Sequence, residues 1–421
     1  MRVIRFGSPE FERLCQRGGA RRRQIEERVR RILEDVRTNG DEAVLKYTRR
    51  FDKVRLTPRQ LRVTEAETSG AYQDIAPEFI TGLKLVIENV RAFYQKQTPR
   101  SWRRLSDDGI LLGEKCEPLE RVGVYIPAAQ APLVSTVYMT VMPAKLAGVR
   151  EIYVATPPLA NGAVDPHILV VANLLKVTAV YKMGGAQAIG ALAYGTKTVP
   201  RVDKIVGPGN AYVTEAKRQV FGDVDIDMTA GPTEIAVIAN QHSVPDFVAA
   251  DLEAEHEHAG GVAVLITPSK TLARQLRGRL ARGTIVLTRN LDEAAAAANA
   301  FAPEHLEIHV KRPELLAKKI RHAGAIFLGP YSPASIGDYI AGPSHVLPTG
   351  GSARFFSGLG VCDFVKRIHM ISYSRRALEK VHGHVERMAM IEGLVKHMES
   401  VKIRFDRGHD GSHKADGSDP A

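Results

Sequence analysis

The sequence predicts an α/β fold with two doubly wound, Rossmann-like parallel-sheet domains, an N-terminal helical segment and a C-terminal helical tail. Three observations predict it. Short, β-branched apolar runs recur from about residue 121 onward. Helical stretches of about 10–15 residues separate them, the alternation of a parallel sheet covered on both faces. The runs fall into two series on either side of residues 230–235.

In chain order, residues 20–110 read as mostly helical. Ile25, Val29, Ile32 and Val36 recur at helical spacing, and Asn39–Gly40 supplies a stop. The first strand series is VGVYIP (122–127), EIYVAT (151–156), AVYKMG (179–184) and KIVGPG (204–209). The second is EIAVIA (234–239), VAVLIT (262–267), TIVLT (284–288) and AIFLG (325–329). Residues 330–360 are rich in Gly, Pro and Ser and read as a long loop, which in a compact domain is usually functional. A helix is expected over about 374–400, ahead of a polar tail. The expected domains are an arm at 1–20; a first α/β domain of 21–124 plus 236–365, its N-terminal part helical; a second, Rossmann-like domain at 125–235; a helical segment at 366–407; and a disordered tail at 408–421.

Composition narrows the function classes. The 421 residues carry 58 basic and 47 acidic side chains, a net +11, with 44% hydrophobic and 25% charged residues. That balance is ordinary for a globular protein. Much of the positive excess lies in Arg21–Arg31, interleaved with Glu26, Glu27 and Glu34, and reads as a solvated helix face. Aromatics are only 6% and thinly spread, so no nucleic-acid partner is expected. Three scattered cysteines without a CxxC pair exclude a disulfide framework and a thiolate zinc site. No stretch approaches the roughly 18 apolar residues of a spanning helix, and the start lacks an apolar signal core. A soluble cytoplasmic protein without a membrane partner is expected.

Six places can carry chemistry. No GxGxxG is present, but Gly184–Gly185–Ala186–Gln187 and Gly207–Pro208–Gly209–Asn210 each follow a strand, where backbone amides can approach a ligand. Tight strand–helix turns need glycine in any case. In DLEAEHEHAGG (251–261), Glu255 and His258 are three apart on one helical face, a spacing that can place two ligands on one metal. Glu253 and His256 form an equivalent pair, and a charged helix end is the plain alternative. Asp338 and His345 lie in the long loop, and Glu392 and His397 in MIEGLVKH. Carboxylates and imidazoles without thiolate suit catalytic zinc. Finally, Glu304–His305 follows Pro303 at the start of an expected strand; neighbours there point to opposite faces, so both reach one site only if the backbone turns.

The segments RVGVYIP, APLVSTVYMTVMPAKLAGV, GGAQAIGALAYGT, KIVGPGNAYVTEAKRQVFG, AGPTE, FAPEHLEI, GDYIAGPSHVLPTGG and EGLVKH occur in this order. Together they resemble the histidinol dehydrogenase family over residues 20–405. The resemblance implies zinc- and NAD-dependent oxidation of L-histidinol through histidinal to L-histidine, the end of histidine biosynthesis. It implies that Tyr125, Gln187 and Asn210 contact NAD and that Glu304 and His305 are the acid/base pair. It further implies one Zn²⁺ per subunit on Glu255, His258, Asp338 and His397, and substrate contacts from Thr233, His345 and Glu392. The zinc ligands and His305 also border the substrate. A homodimer is implied, the C-terminal segment crossing to complete the partner's site.

The local spacing has a matching oddity. On a continuous helix, five residues set Glu392 and His397 about 140° apart, and Gly393 offers a bend. Three departures from the family pattern stand out: Glu255 for Gln, Thr233 for Ser, and Pro127–Ala128–Ala129–Gln130–Ala131–Pro132–Leu133 for a glycine-rich turn. They motivate an alternative, a paralogous zinc/NAD-dependent dehydrogenase of another small amino alcohol or polyol. A non-enzymatic basic nucleic-acid binder is the remote alternative.

Overall fold

The computed structural model describes residues 1–16, 23–128, 131–258 and 260–405. The expected tail, residues 17–20 of the arm, and Ala129 and Gln130 of the altered turn lie outside the described residues. The chain divides into two units, Met1–Thr98 with Pro118–Val365, and Pro99–Glu117 with Lys366–Ala421.

The strands in chain order are β1 (Arg2–Arg5), β2 (Trp102–Leu105), β3 (Ile110–Pro118), β4 (Arg121–Tyr125), β5 (Glu151–Thr156), β6 (Ala179–Lys182), β7 (Lys204–Val206) and β8 (Asp225–Ile226). They continue with β9 (Glu234–Ala239), β10 (Val262–Thr267), β11 (Thr284–Leu287), β12 (His305–His309), β13 (Ala325–Leu328) and β14 (Val365–Tyr373). The first unit holds two sheets, β6-β5-β4-β7-β8 and β1-β11-β10-β9-β12-β13, and every strand pair in both is parallel. The expected pair of doubly wound sheets is therefore present.

Both sheets are buried on both faces because helices cover both. In the five-stranded sheet Val122, Ile152 and Val154 face helices Pro77–Tyr94 and Val134–Ala147. Tyr153, Tyr181 and Ile205 face helices Arg23–Asn39, Asp41–Phe51 and Gly185–Tyr194. In the six-stranded sheet Ala236, Val264 and Leu306 face helix Leu291–Phe301, while Ile235, Val237 and Leu265 face helices Pro245–Ala254 and Lys270–Arg279.

Four expectations need correction. The leading helices do not belong with the second strand series: Val29, Ile32 and Val36 pack on the five-stranded sheet, whose exposed apolar face they cover. The division near residue 124 cuts through β4. The start is no free arm, since Arg2–Arg5 pairs along β11 as an edge strand. Residues 330–360 are not loop throughout, for Ala334–Tyr339 forms a short helix.

In the second unit β2 and β3 are antiparallel, in a three-stranded sheet of order β14-β3-β2. The segment expected as wholly helical at 366–407 thus opens with a strand. Ser374 then caps helix Arg375–Ile391 by accepting from the Ala377 N–H at 3.0 Å. Gly393, at φ +70°, ends that helix, with Leu394 N–H returning to Ala389 O at 2.7 Å, and helix Val395–Lys402 follows. The bend between Glu392 and His397 is real. Among the described residues no helix is long and apolar enough to cross a membrane.

Candidate active site

In the five-stranded sheet the winding direction reverses between β4 and β7, and such a reversal opens a crevice at the carboxyl ends of the strands. Tyr125 ends β4 there, its hydroxyl accepting from the Gly185 N–H at 3.0 Å. Burial, the larger cause, and the Asp52 carboxylate push its phenol up to about 12, so it stays neutral. Gly207 follows β7 at φ +115°; a Cβ there would lie 2.2 Å from the Tyr125 carbonyl oxygen, so only glycine fits. Its N–H donates to Asp227 at 2.7 Å, and Asp227 pairs with buried Lys217.

Gln187, in the first turn of helix Gly185–Tyr194, is buried with neither amide atom hydrogen-bonded. A buried amide in that state costs about 1–3 kcal/mol. Asn210 is exposed and caps helix Ala211–Val220 through Oδ1, which accepts from Tyr212 and Val213 N–H at 3.0 and 3.2 Å. Asp52, which sequence reading missed, has an unpartnered oxygen, and burial pushes it up to about 6.

The other candidates gather at the amino ends of the six-stranded sheet. The backbone bends before β12: Ala302 is left-handed at φ +49°, and Glu304 precedes the strand that begins at His305. This turn lets both side chains serve one place. Glu304 Oε2 accepts the first N–H of β9, from Glu234, at 3.0 Å. Burial raises its carboxyl well above the ordinary range, with Glu255 and Glu234 adding to that and hydrogen bonds from Thr233 and Glu234 opposing it. His305 Nε2 lies 3.7 Å from Asp338 Oδ1. Burial lowers its imidazole below the usual value, and the Asp338 carboxylate opposes that. A neutral imidazole thus stands beside a raised carboxyl, an arrangement suited to proton transfer near neutrality.

Glu255 is buried in a 3₁₀ turn, Glu255–Glu257, that follows helix Pro245–Ala254. Burial pushes its carboxyl up to about 8, with Asp338, Glu234 and Glu307 adding, and a Thr233 hydrogen bond pulling down. Its Oε1 has no partner. The rival residue Glu253 is exposed, and His256 is lowered by burial and by Arg282. So Glu255, not Glu253, faces Thr233 and Asp338. His258 is exposed at the end of the turn, close enough to His345 to help lower its imidazole. His345 is half-buried, with Nδ1 2.9 Å from the Asp338 carbonyl oxygen and Nε2 3.2 Å from Thr136 Oγ1.

The structure therefore brings together Thr233, Glu255, Glu304, His305, Asp338 and His345. It leaves Glu392 and His397 exposed in the second unit. Glu234 also belongs to the cluster, its Oε1 accepting from the Gly350 N–H at 3.0 Å. In sequence it is one more residue of an apolar strand run.

A family model described as histidinol dehydrogenase matches residues 15–405. The chain belongs to the histidinol dehydrogenase family. It is 44% identical to a histidinol dehydrogenase of Syntrophotalea carbinolica, over 96% of this chain and 99% of that one. It is 46% identical to one of Bacillus cereus, over 91% and 94%. The crystal structure of histidinol dehydrogenase from Elizabethkingia anophelis superposes with a TM-score of 0.89 at 34% identity, covering 96% of this chain and 98% of that one. Members of this family are oxidoreductases.

Proposed function

We propose that this oxidoreductase of histidine biosynthesis carries L-histidinol through histidinal to L-histidine, using NAD and one Zn²⁺ per subunit at the catalytic site. The observation that carries the reading is the adjacency of Glu304 and His305, one raised and one lowered by burial, beside Asp338 and Glu255.

The residues fit both absent groups. The unpartnered Gln187 amide and the glycines at the carboxyl ends of β6 and β7 suit a nicotinamide cofactor, with Tyr125 and Asn210 alongside. The unpartnered Glu255 oxygen, Asp338 and His258 suit zinc, with His397 supplied by a second copy. When bound, NAD accepts hydride in each oxidation, and zinc anchors the substrate's nitrogens. His305, neutral and buried, takes the hydroxyl proton of the alcohol. Glu304, with its raised carboxyl, takes a proton from the water that adds to the aldehyde carbon. Thr233, His345 and Glu392 orient the substrate. None of the three cysteines belongs to these clusters, so no thioester step is needed.

The partner is a second copy of the chain, in the cytoplasm. Exposed Met388, Ile391 and Val395 on the second unit supply apolar surface within a few residues of Glu392 and His397.

The test is the NADH yield per histidinol consumed, with metal counted on the same sample and short amino alcohols run in parallel. Two NADH per histidinol is expected; a yield of one means a dehydrogenase that stops at the aldehyde. Mixing inactive His397→Ala chains with inactive Glu304→Gln/His305→Asn chains should restore activity. Mixed dimers without activity would place each site within a single chain.

A further inference from the structure

Strand β12 is buried on both faces, yet every second residue on one face is polar. Leu306 and Ile308 join the apolar cluster against helix Leu291–Phe301. His305, Glu307 and His309 alternate with them and share the opposite face. There they stand opposite Ile235, Val237 and Ala239 of β9, which pack under helix Pro245–Ala254. That helix contributes Asp251.

We propose that Asp251, Glu307 and His309 form a second divalent-metal site, separate from the one assigned to Glu255, His258 and Asp338. His309 Nε2 lies 3.2 Å from Glu307 Oε2 and 3.7 Å from Asp251 Oδ2, and the three ligand atoms all fall within 4.8 Å of one another. Ligands about 2.0–2.1 Å from a tetrahedral zinc are themselves roughly 3.3 Å apart, so a small ion fits between these atoms with little movement.

The burial gives an ion a charge to balance. The side chains of Glu307 and His309 are 0% and 1% exposed, and Glu307 Oε2 and both His309 ring nitrogens form no hydrogen bond. Glu307 Oε1 is engaged, accepting from the Ala334 N–H at 2.7 Å, so Oε2 is the oxygen left to bind. Among the described residues no Lys or Arg pairs with any of the three. Two carboxylates buried without a cation are strongly disfavoured. A dication balances them, with the imidazole as a neutral third ligand. One nitrogen and two oxygens without sulfur suit Zn²⁺, Mn²⁺ or Fe²⁺. Asp251, 14% exposed, marks the way in.

The site reaches the reaction through a backbone contact, besides the charge of Glu307 on Glu255 and His305. The Glu307–Ala334 hydrogen bond holds the start of helix Ala334–Tyr339, and Asp338 sits on that helix. An ion on Glu307 therefore fixes the support of Asp338, a positioning role.

Zinc per chain, counted by emission spectroscopy after chelator treatment and reloading of the dimer, tests this. Two equivalents are expected in the wild type, one in His309→Gln, one in His258→Ala, and none in the double variant. Asp251→Asn, isosteric and partly exposed, should repeat the His309→Gln loss, with unchanged circular dichroism showing that the fold persists. A single wild-type equivalent that His258→Ala removes and His309→Gln leaves overturns the proposal, and means that Asp251 and Glu307 share a proton instead. A single equivalent that His309→Gln removes and His258→Ala leaves upholds it and defeats the assignment of the catalytic zinc.

Discussion

The imidazole of His345 is fixed against Thr136 at 3.2 Å, on the helix that follows β4. Its other nitrogen faces the carbonyl oxygen of Asp338, so Nδ1 carries the hydrogen and Nε2 accepts from the threonine hydroxyl. One ring thus ties the helix behind the cofactor crevice to the helix that carries Asp338.

Replacing Thr136 by Val keeps the shape and removes the one donor to Nε2 among the described residues. A fully buried acceptor left unpaired costs about 1–3 kcal/mol, and the half-buried His345 should show the lower part of that range. Denaturant unfolding should show that loss for Thr136→Val and recover most of it for Thr136→Ser. A valine variant as stable as the wild type would mean that Nε2 has another donor.

Glu304 and His305 should divide the two oxidations. His305→Asn should slow alcohol oxidation by about 10²–10⁴-fold. Glu304→Gln should spare that step and slow oxidation of histidinal, which alone needs an activated water. Rates measured separately from histidinol and from histidinal decide the matter; equal losses in both half-reactions for both variants would refute the division.

Glu255 should make zinc affinity steeply pH-dependent. Its carboxyl, ordinarily near 4.5, is pushed up to about 8 without metal, so below that pH zinc must displace its proton. From about pH 6 to 8 this one group adds up to tenfold in affinity per pH unit. Glu255→Gln has no proton to lose there, so its logarithmic slope should be shallower by about one and its retention weaker at pH 8.5. Chelator competition at three pH values measures both slopes. Parallel slopes would remove Glu255 from the ligand set.

Asp52 should make the fold less stable as pH rises. Its folded value, about 6, exceeds its ordinary 3.8, so the folded chain favours the protonated form. Below about pH 4 both states hold the proton and nothing is lost. Between about 4 and 6 only the unfolded chain ionises, and above 6 the loss is complete. A two-unit shift corresponds to nearly 3 kcal/mol, which partial exposure reduces to ~1–2 kcal/mol. Asp52→Asn should therefore be the more stable protein at pH 8 and match the wild type near pH 4. An equal difference at both values in guanidinium titrations would contradict this.

What could be read from sequence follows from which forces act locally. The runs at 151–156, 234–239 and 262–267 coincide with β5, β9 and β10, because a strand buried on both faces must be apolar throughout. Strands β2 and β14 escaped notice: WRRL is fully exposed, and VKRIHMISY buries no complete face. The pairing of Glu304 with His305 was legible, but the bend that joins them is set by Ala302 and Pro303 and was only an inference. Asp52, Glu234 and Glu307 stayed hidden because each gains its meaning from a segment distant in sequence: Gly184 for Asp52, Gly350 for Glu234, Ala334 for Glu307.

The pairing of Arg2–Arg5 along β11 has a practical consequence. The amino group of Met1 donates to the Leu280 carbonyl at 3.3 Å, and the Arg2 N–H to Gly283 at 3.0 Å. Substitutions that weaken this seam would loosen the strand. Once peeled away, it would leave β11 as a bare edge, a template on which other molecules can stack into aggregates. Conditions that keep β1 paired keep that seam closed.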